Sequence, residues 1–211
     1  LTHMSGPKYS LNLQKLKDQR DHTQSVIDRY TQADKYHLFQ LQENHYFFRT
    51  PQELDTFWNS VIFKWFAFYP AKSDNYTSFH PFPWFALINL AQERNVLKQL
   101  STHCTTVDTL MLYNNFLKDF EGLFSGPNLK IWTTEQSDQA THSFAVYHDH
   151  VIEFPFPPKF QQAIQDFIFH KRAFDFQSIQ PFFEEGNYEL IVSKDRKKAE
   201  KLKKKFLKLK K

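Results

Sequence analysis

Three histidines, His142, His148 and His150, come closest to a reactive constellation in type and spacing. If Phe144 to Phe154 runs as one strand, side chains alternate between its faces. Phe144, Val146, His148, His150, Ile152 and Phe154 then share a face. Two imidazoles two residues apart on a strand can bind one ion, and His142 would supply a third ligand from the same face. The cofactor expected from such a set is a divalent transition metal. The competing reading makes Tyr147-His148-Asp149-His150 a tight hairpin turn with solvated histidines. That reading carries more weight, because the pair lacks a third ligand at motif spacing.

The second signal is charge. From Lys194 to Lys211 ten lysines and Arg196 stand against Asp195 and Glu200, although the whole chain is only +4. The remaining residues therefore carry a net negative charge. Ala199, Leu202, Phe206 and Leu209 recur at helical spacing, so this segment reads as a basic amphipathic helix. Lys194, Arg196, Lys197, Lys198, Lys201, Lys204, Lys205 and Lys208 are the residues expected to meet nucleic-acid phosphates, each contact releasing a counterion. Arginine is scarce there, which argues against base-specific reading. The same helix could lie on an anionic membrane surface or an acidic protein partner, or simply dock with a solvated lysine face.

Other stretches offer less chemistry. His80-Pro81-Phe82 resembles the opening of the Fic adenylyltransferase motif, but the glycine-rich continuation is Pro83-Trp84-Phe85-Ala86 here, and no activity is carried over. Phe169-His170-Lys171-Arg172 sets His and Lys side by side, so it does not fit the HxK spacing of phospholipase D-like enzymes. Cys104 follows His103, and adjacent helical residues point apart, which favours an inert thiol. There is no P-loop, Rossmann fingerprint, HExxH or GxSxG. Four glycines in 211 residues also argue against a loop-rich phosphate cradle.

These side chains need a scaffold, and its centre is Thr50 to Pro70. Thr50, Pro51 and Glu53 form a helix start with a capping box. Leu54, Phe57, Trp58, Val61, Ile62, Trp65, Phe68 and Tyr69 follow at helical spacing. Residues 9–31 carry a thin apolar stripe suited to an arm or a dimerisation helix, hence a homo-oligomer. Residues 36–49 read as a helix leading into Thr50, with a short strand pair as the alternative. Further helices are expected from about Pro83 to Leu100 and from Val107 to Phe124. Strands are expected at Leu129–Thr134, Ser143–Tyr147, Val151–Phe154 and Tyr188–Ser193, with a helix starting at Pro158.

The expected fold class is α+β. It has a mainly helical N-terminal half (1–125) and a small α/β half (126–211) with three to four short strands and a basic terminal helix. One compact domain is the alternative. A lone cysteine suggests a reducing, cytoplasmic setting, and no apolar run is long enough to span a membrane.

The leading functional expectation is a non-enzymatic regulatory protein. It would be the ligand-sensing or self-association part of a bacterial transcription regulator, its basic helix touching nucleic acid. A histidine-based metalloenzyme and a peripheral membrane protein are the alternatives.

Overall fold

The computed structural model describes residues 43–69, 74–112, 126–135, 141–169 and 184–210. Contacts divide the chain into residues 1–37 and 38–211, and every described residue lies in the second unit. The stripe over 9–31, the run at 169–172 beyond Phe169, and the proposed helix beyond Leu112 fall outside the described residues.

Seven strands form one mixed sheet: β1 (Glu43–Phe48), β2 (Tyr76–Phe79), β3 (Val107–Leu112), β4 (Leu129–Thr134), β5 (His142–Tyr147), β6 (His150–Pro155) and β7 (Tyr188–Lys194). Their spatial order is β1-β7-β6-β5-β2-β3-β4. β2, β3 and β4 run parallel, and the other pairings are antiparallel. The described helices are α1 (Pro51–Phe68), α2 (Trp84–Ile88), α3 (Leu90–His103), α4 (Pro158–Phe169) and α5 (Arg196–Leu209).

This corrects the expectation of a mainly helical N-terminal half joined to a small α/β half. β1, β2 and β3 all precede residue 125, and the sheet draws strands from both sides of that position. Val107–Leu112 is the instructive case. It lies between β2 and β4, and Val107, Leu110, Met111 and Leu112 are all buried. A parallel strand covered on both faces shows a continuous apolar run, which periodicity cannot separate from helix. Residues 43–48, expected to be helical, pair along their whole length with β7.

α1 forms as its sequence demands. Thr50 is extended and accepts a hydrogen bond from the Glu53 N–H at 3.2 Å, while Glu53 Oε2 accepts from the Arg49 N–H at 2.9 Å. Leu54, Phe57, Trp58, Val61, Ile62 and Trp65 are buried, each worth roughly 1.5–3 kcal/mol of burial. Phe68, expected in the same stripe, is 55% exposed. The helix expected over 83–100 is broken at Asn89. Its backbone leaves the helical region (φ −154°, ψ 86°), and its Oδ1 caps α3 by accepting from the Gln92 N–H at 3.1 Å.

Strand alternation sorts the sheet into two faces. Tyr76, Ser78, Thr109, Met111, Tyr147, His150, Phe154 and Tyr188 turn toward the helices α1 to α4; Trp84 of α2 donates to Ser143 Oγ, and Phe160 of α4 packs on Phe154 and Tyr188. The opposite face, with Asp108 and Glu153, is covered by α5.

Candidate nucleic-acid interface

α5 begins at Asp195, whose Oδ1 accepts from the Lys198 N–H at 3.1 Å. Ala199, Leu202, Phe206 and Leu209 are buried against the sheet, as their spacing foretold. Docking this seam divides the basic residues into two sets. The first set flanks the seam and meets carboxylates. Lys198 bonds to Glu43 at 2.9 Å and to Glu153; Lys203 reaches Asp74 at 3.4 Å. Lys210 lies 3.8 Å from Asp108 and 3.5 Å above the centre of the Trp132 ring. Lys194, in β7, lies 4.0 Å from Asp149, and Arg196 bonds to Glu200 at 3.0 Å. Burial works against the Lys198 charge, yet its bonds to Glu153 and Glu43 hold its pKa above the ordinary value.

The second set is Lys197, Lys201, Lys204 and Lys208. All four are exposed, and among the described residues none has a carboxylate within ion-pair distance. Their spacing of four, three and four residues places them on one side of the helix. At 1.5 Å per residue the stripe is about 16 Å long. Lys205 is half-buried and its charge acts on His142. Of the eight residues expected at the interface, the fold therefore aligns four and matches Lys194, Arg196 and Lys198 with acids.

The three histidines do not converge. β5 and β6 are two strands of a hairpin, and His148-Asp149 is its turn, with His148 at φ 56°. The turn reverses the chain, so the alternation assumed for one continuous strand does not hold. His142 is at the far end of β5 opposite Pro155, six residues from His148, or roughly 20 Å along a strand. It faces α5, whereas His150 faces α1. Among the described residues no group of three or more His, Cys, Asp or Glu is placed to hold a metal. Burial, then the charge of Lys205, pushes His142 down to about 4.

Neither His148 in the turn nor His150 beside it is fully solvated. The His148 ring stacks on Tyr69 at 4.2 Å, and the His148 backbone N–H donates to Asp74 Oδ2 at 3.1 Å. His150 is 1% exposed, with Nε2 3.2 Å from the Tyr69 hydroxyl. Burial holds its pKa down at about 4, against the opposing pull of Asp149. Tyr69, Asp74, His148, Asp149, Arg196 and Lys203 border a cleft of about 410 Å³. Its cations and acids are largely matched to each other across the rim.

A second polar centre went unnoticed in the sequence. Between α1, α3 and the sheet lies a chamber of about 30 Å³ lined by Asp55, Asn59, Ser78, His80, Glu93 and Thr109 among aromatic walls. Asp55 accepts from Asn59 Nδ2 at 3.2 Å, and Ser78 and Thr109 hydroxyls are 2.9 Å apart. Burial pushes Asp55 up to about 7; burial, then the nearby Asp55, pushes Glu93 up to about 8. Burial drives His80 down to about 3, and among the described residues none bonds its Nδ1. A signal existed. Asp55 and Asn59 share the helical face of Trp58 and Ile62, and Glu93 shares that of Val96, Leu97 and Leu100.

No family model matches the chain, and no curated protein matches it. Among solved structures it is similar to TrmBL2, an archaeal chromatin protein with a novel mode of DNA binding. That likeness has a TM-score of 0.50 at 8% identity, over 92% of this chain and 62% of that one. The chain thus spans less than two thirds of TrmBL2, and the likeness is one of fold. NucT from Helicobacter pylori is similar with a TM-score of 0.46 at 14% identity, over 79% of this chain and 95% of that one. Among the described residues no helix is long and apolar enough to cross a membrane.

Proposed function

We propose that the chain binds nucleic acid through the outer face of α5, with Lys197, Lys201, Lys204 and Lys208 tracking phosphates. The observation that carries this reading is the sorting of charge on α5: the inner cations meet carboxylates, and the four outer ones meet none among the described residues. Duplex DNA presents about one phosphate charge per 1.7 Å of axis, so a stripe of about 16 Å faces a dense row of them. Lysine ammoniums act as point charges without the planar fork that reads guanine, so the contact positions the protein and does not select sequence. The fold shared with a chromatin protein that binds DNA supports the same reading.

The test is fluorescence anisotropy with a labelled duplex over a salt series. Four phosphate contacts give a slope of log K against log salt of about −3.6. Changing all four lysines to Gln should remove most of the affinity and flatten the slope, whatever the duplex sequence. Unchanged binding by that variant, or retention on anionic vesicles with none on DNA, overturns the reading.

The finer reading is a non-enzymatic regulator, the ligand-sensing or self-association part of a bacterial transcription regulator. Support for sensing comes from the polar chamber beneath α1, which is walled by Trp58, Trp84 and Phe85.

A further inference from the structure

We propose that the chamber between α1, α3 and the sheet binds a primary ammonium group the size of ammonium or methylammonium, held by Asp55, Glu93 and His80 Nδ1. The inference deepens the sensing reading by naming what the chamber holds, and it does not depend on whether α5 meets nucleic acid.

Size sets the first limit. A cavity of about 30 Å³ accommodates about two water-sized particles, since each needs about 10–15 Å³ by this measure. Drug-sized molecules are excluded, and a one- or two-atom head group fits. Charge sets the second. Asp55 and Glu93 are 4% and 9% exposed, on two different helices that converge on one space. Buried carboxyls normally have a cationic partner, and among the described residues no Lys or Arg lines this chamber. Water could satisfy their hydrogen bonds but brings no charge to balance either acid once it ionises.

Directionality sets the third. His80 is 6% exposed, its backbone N–H is bonded to the Leu110 carbonyl, and its ring is clamped between Trp58 and Phe85 at centroid distances of 5.6 and 4.7 Å. Burial keeps the ring neutral, and in the tautomer protonated at Nε2 the Nδ1 atom offers a lone pair. An N–H donor suits that nitrogen. A hard alkali or alkaline-earth ion prefers an all-oxygen shell, which a ring nitrogen does not complete. An ammonium has enough N–H bonds for Asp55, Glu93 and His80 together, and the indole walls add cation–π attraction.

Binding pulls both acids into their ionised forms, so it releases protons at neutral pH and tightens as pH rises from 6 to 8. Thermal unfolding of the full chain at pH 8 tests this, with ammonium or methylammonium chloride set against sodium and tetramethylammonium chloride at equal ionic strength. The expected result is a rise of several degrees with the first two salts only, lost in Asp55→Asn and in Glu93→Gln and reduced in His80→Leu. Both acid variants are neutral isosteres that remove buried charge, so they should fold. No rise, an equal rise with the control salts, or a rise that survives in both acid variants overturns the proposal. Proton release is read separately by calorimetry in buffers of different ionisation enthalpy. DNA anisotropy with and without methylammonium isolates the sensing reading: unchanged affinity alongside a genuine thermal shift removes sensing and leaves the chamber site standing.

Discussion

The outer face of α5 and the chamber beneath α1 are opposite solutions to one problem, that of an ionisable group with no counter-charge among the described residues. Four lysines are exposed to water, at little cost to stability. Asp55 and Glu93 have no such solvent, and burial presses both toward the neutral acid. Exposed unpaired charge signals a large, soft, salt-sensitive ligand. Buried unpaired charge signals a small one that must fit. The inner face of α5 lies between them, with Lys198, Lys203 and Lys210 half-buried and matched to acids.

The largest effect expected from breaking this contrast lies in the chamber. A carboxyl whose folded pKa is raised adds most stability below its unfolded value and loses it as pH climbs toward the folded value. For Asp55 that window runs from 3.8 to about 7, which corresponds to about 4 kcal/mol. Asp55→Asn should therefore stabilise the protein by up to about 4 kcal/mol at pH 8 and by little at pH 4, as read by urea unfolding.

On the other side of the sheet, Lys198→Ala leaves Glu153 half-buried without its cation and should cost about 2 kcal/mol. Lys201→Ala should stay within about 0.5 kcal/mol yet weaken DNA binding, whereas Lys198→Ala should leave binding nearly intact. If both variants behave alike, the two sets of lysines are not distinct. Asn89→Ala removes the α3 cap that helps place Glu93 and should cost about 1 kcal/mol in thermal unfolding.

His45 gives the smallest effect. Its bond to Glu189 at 2.6 Å, and then its bond to Glu43, raise its pKa above 6.5 against desolvation. Its contribution is complete below 6.5 and fades as pH rises through the raised folded value. His45→Gln should flatten the shallow loss of stability that the parent shows across that window.

How much of this was legible depends on whether a residue's neighbours lie nearby in sequence. α1 and α5 were readable because cap, stripe and solvated face all fall within one helix. The β5–β6 hairpin was readable as the alternative to a metal strand, because turn chemistry is local. β1 and β3 were not. Their burial comes from β7, β2 and β4, which are distant in sequence. The chamber failed for a related reason. Asp55 and Glu93 are separated by thirty-eight positions, and a single acid on an amphipathic helix reads as solvated until the opposing helix is known. The lysine stripe needed only the docked seam of α5 to become visible.

α5 also links the two margins of the sheet. Lys198 holds Glu43 on β1 at one margin, and Lys210 sits over Trp132 on β4 at the other. A tug on the outer lysines by a moving polymer would therefore load both margins at once, as shear across all seven strands.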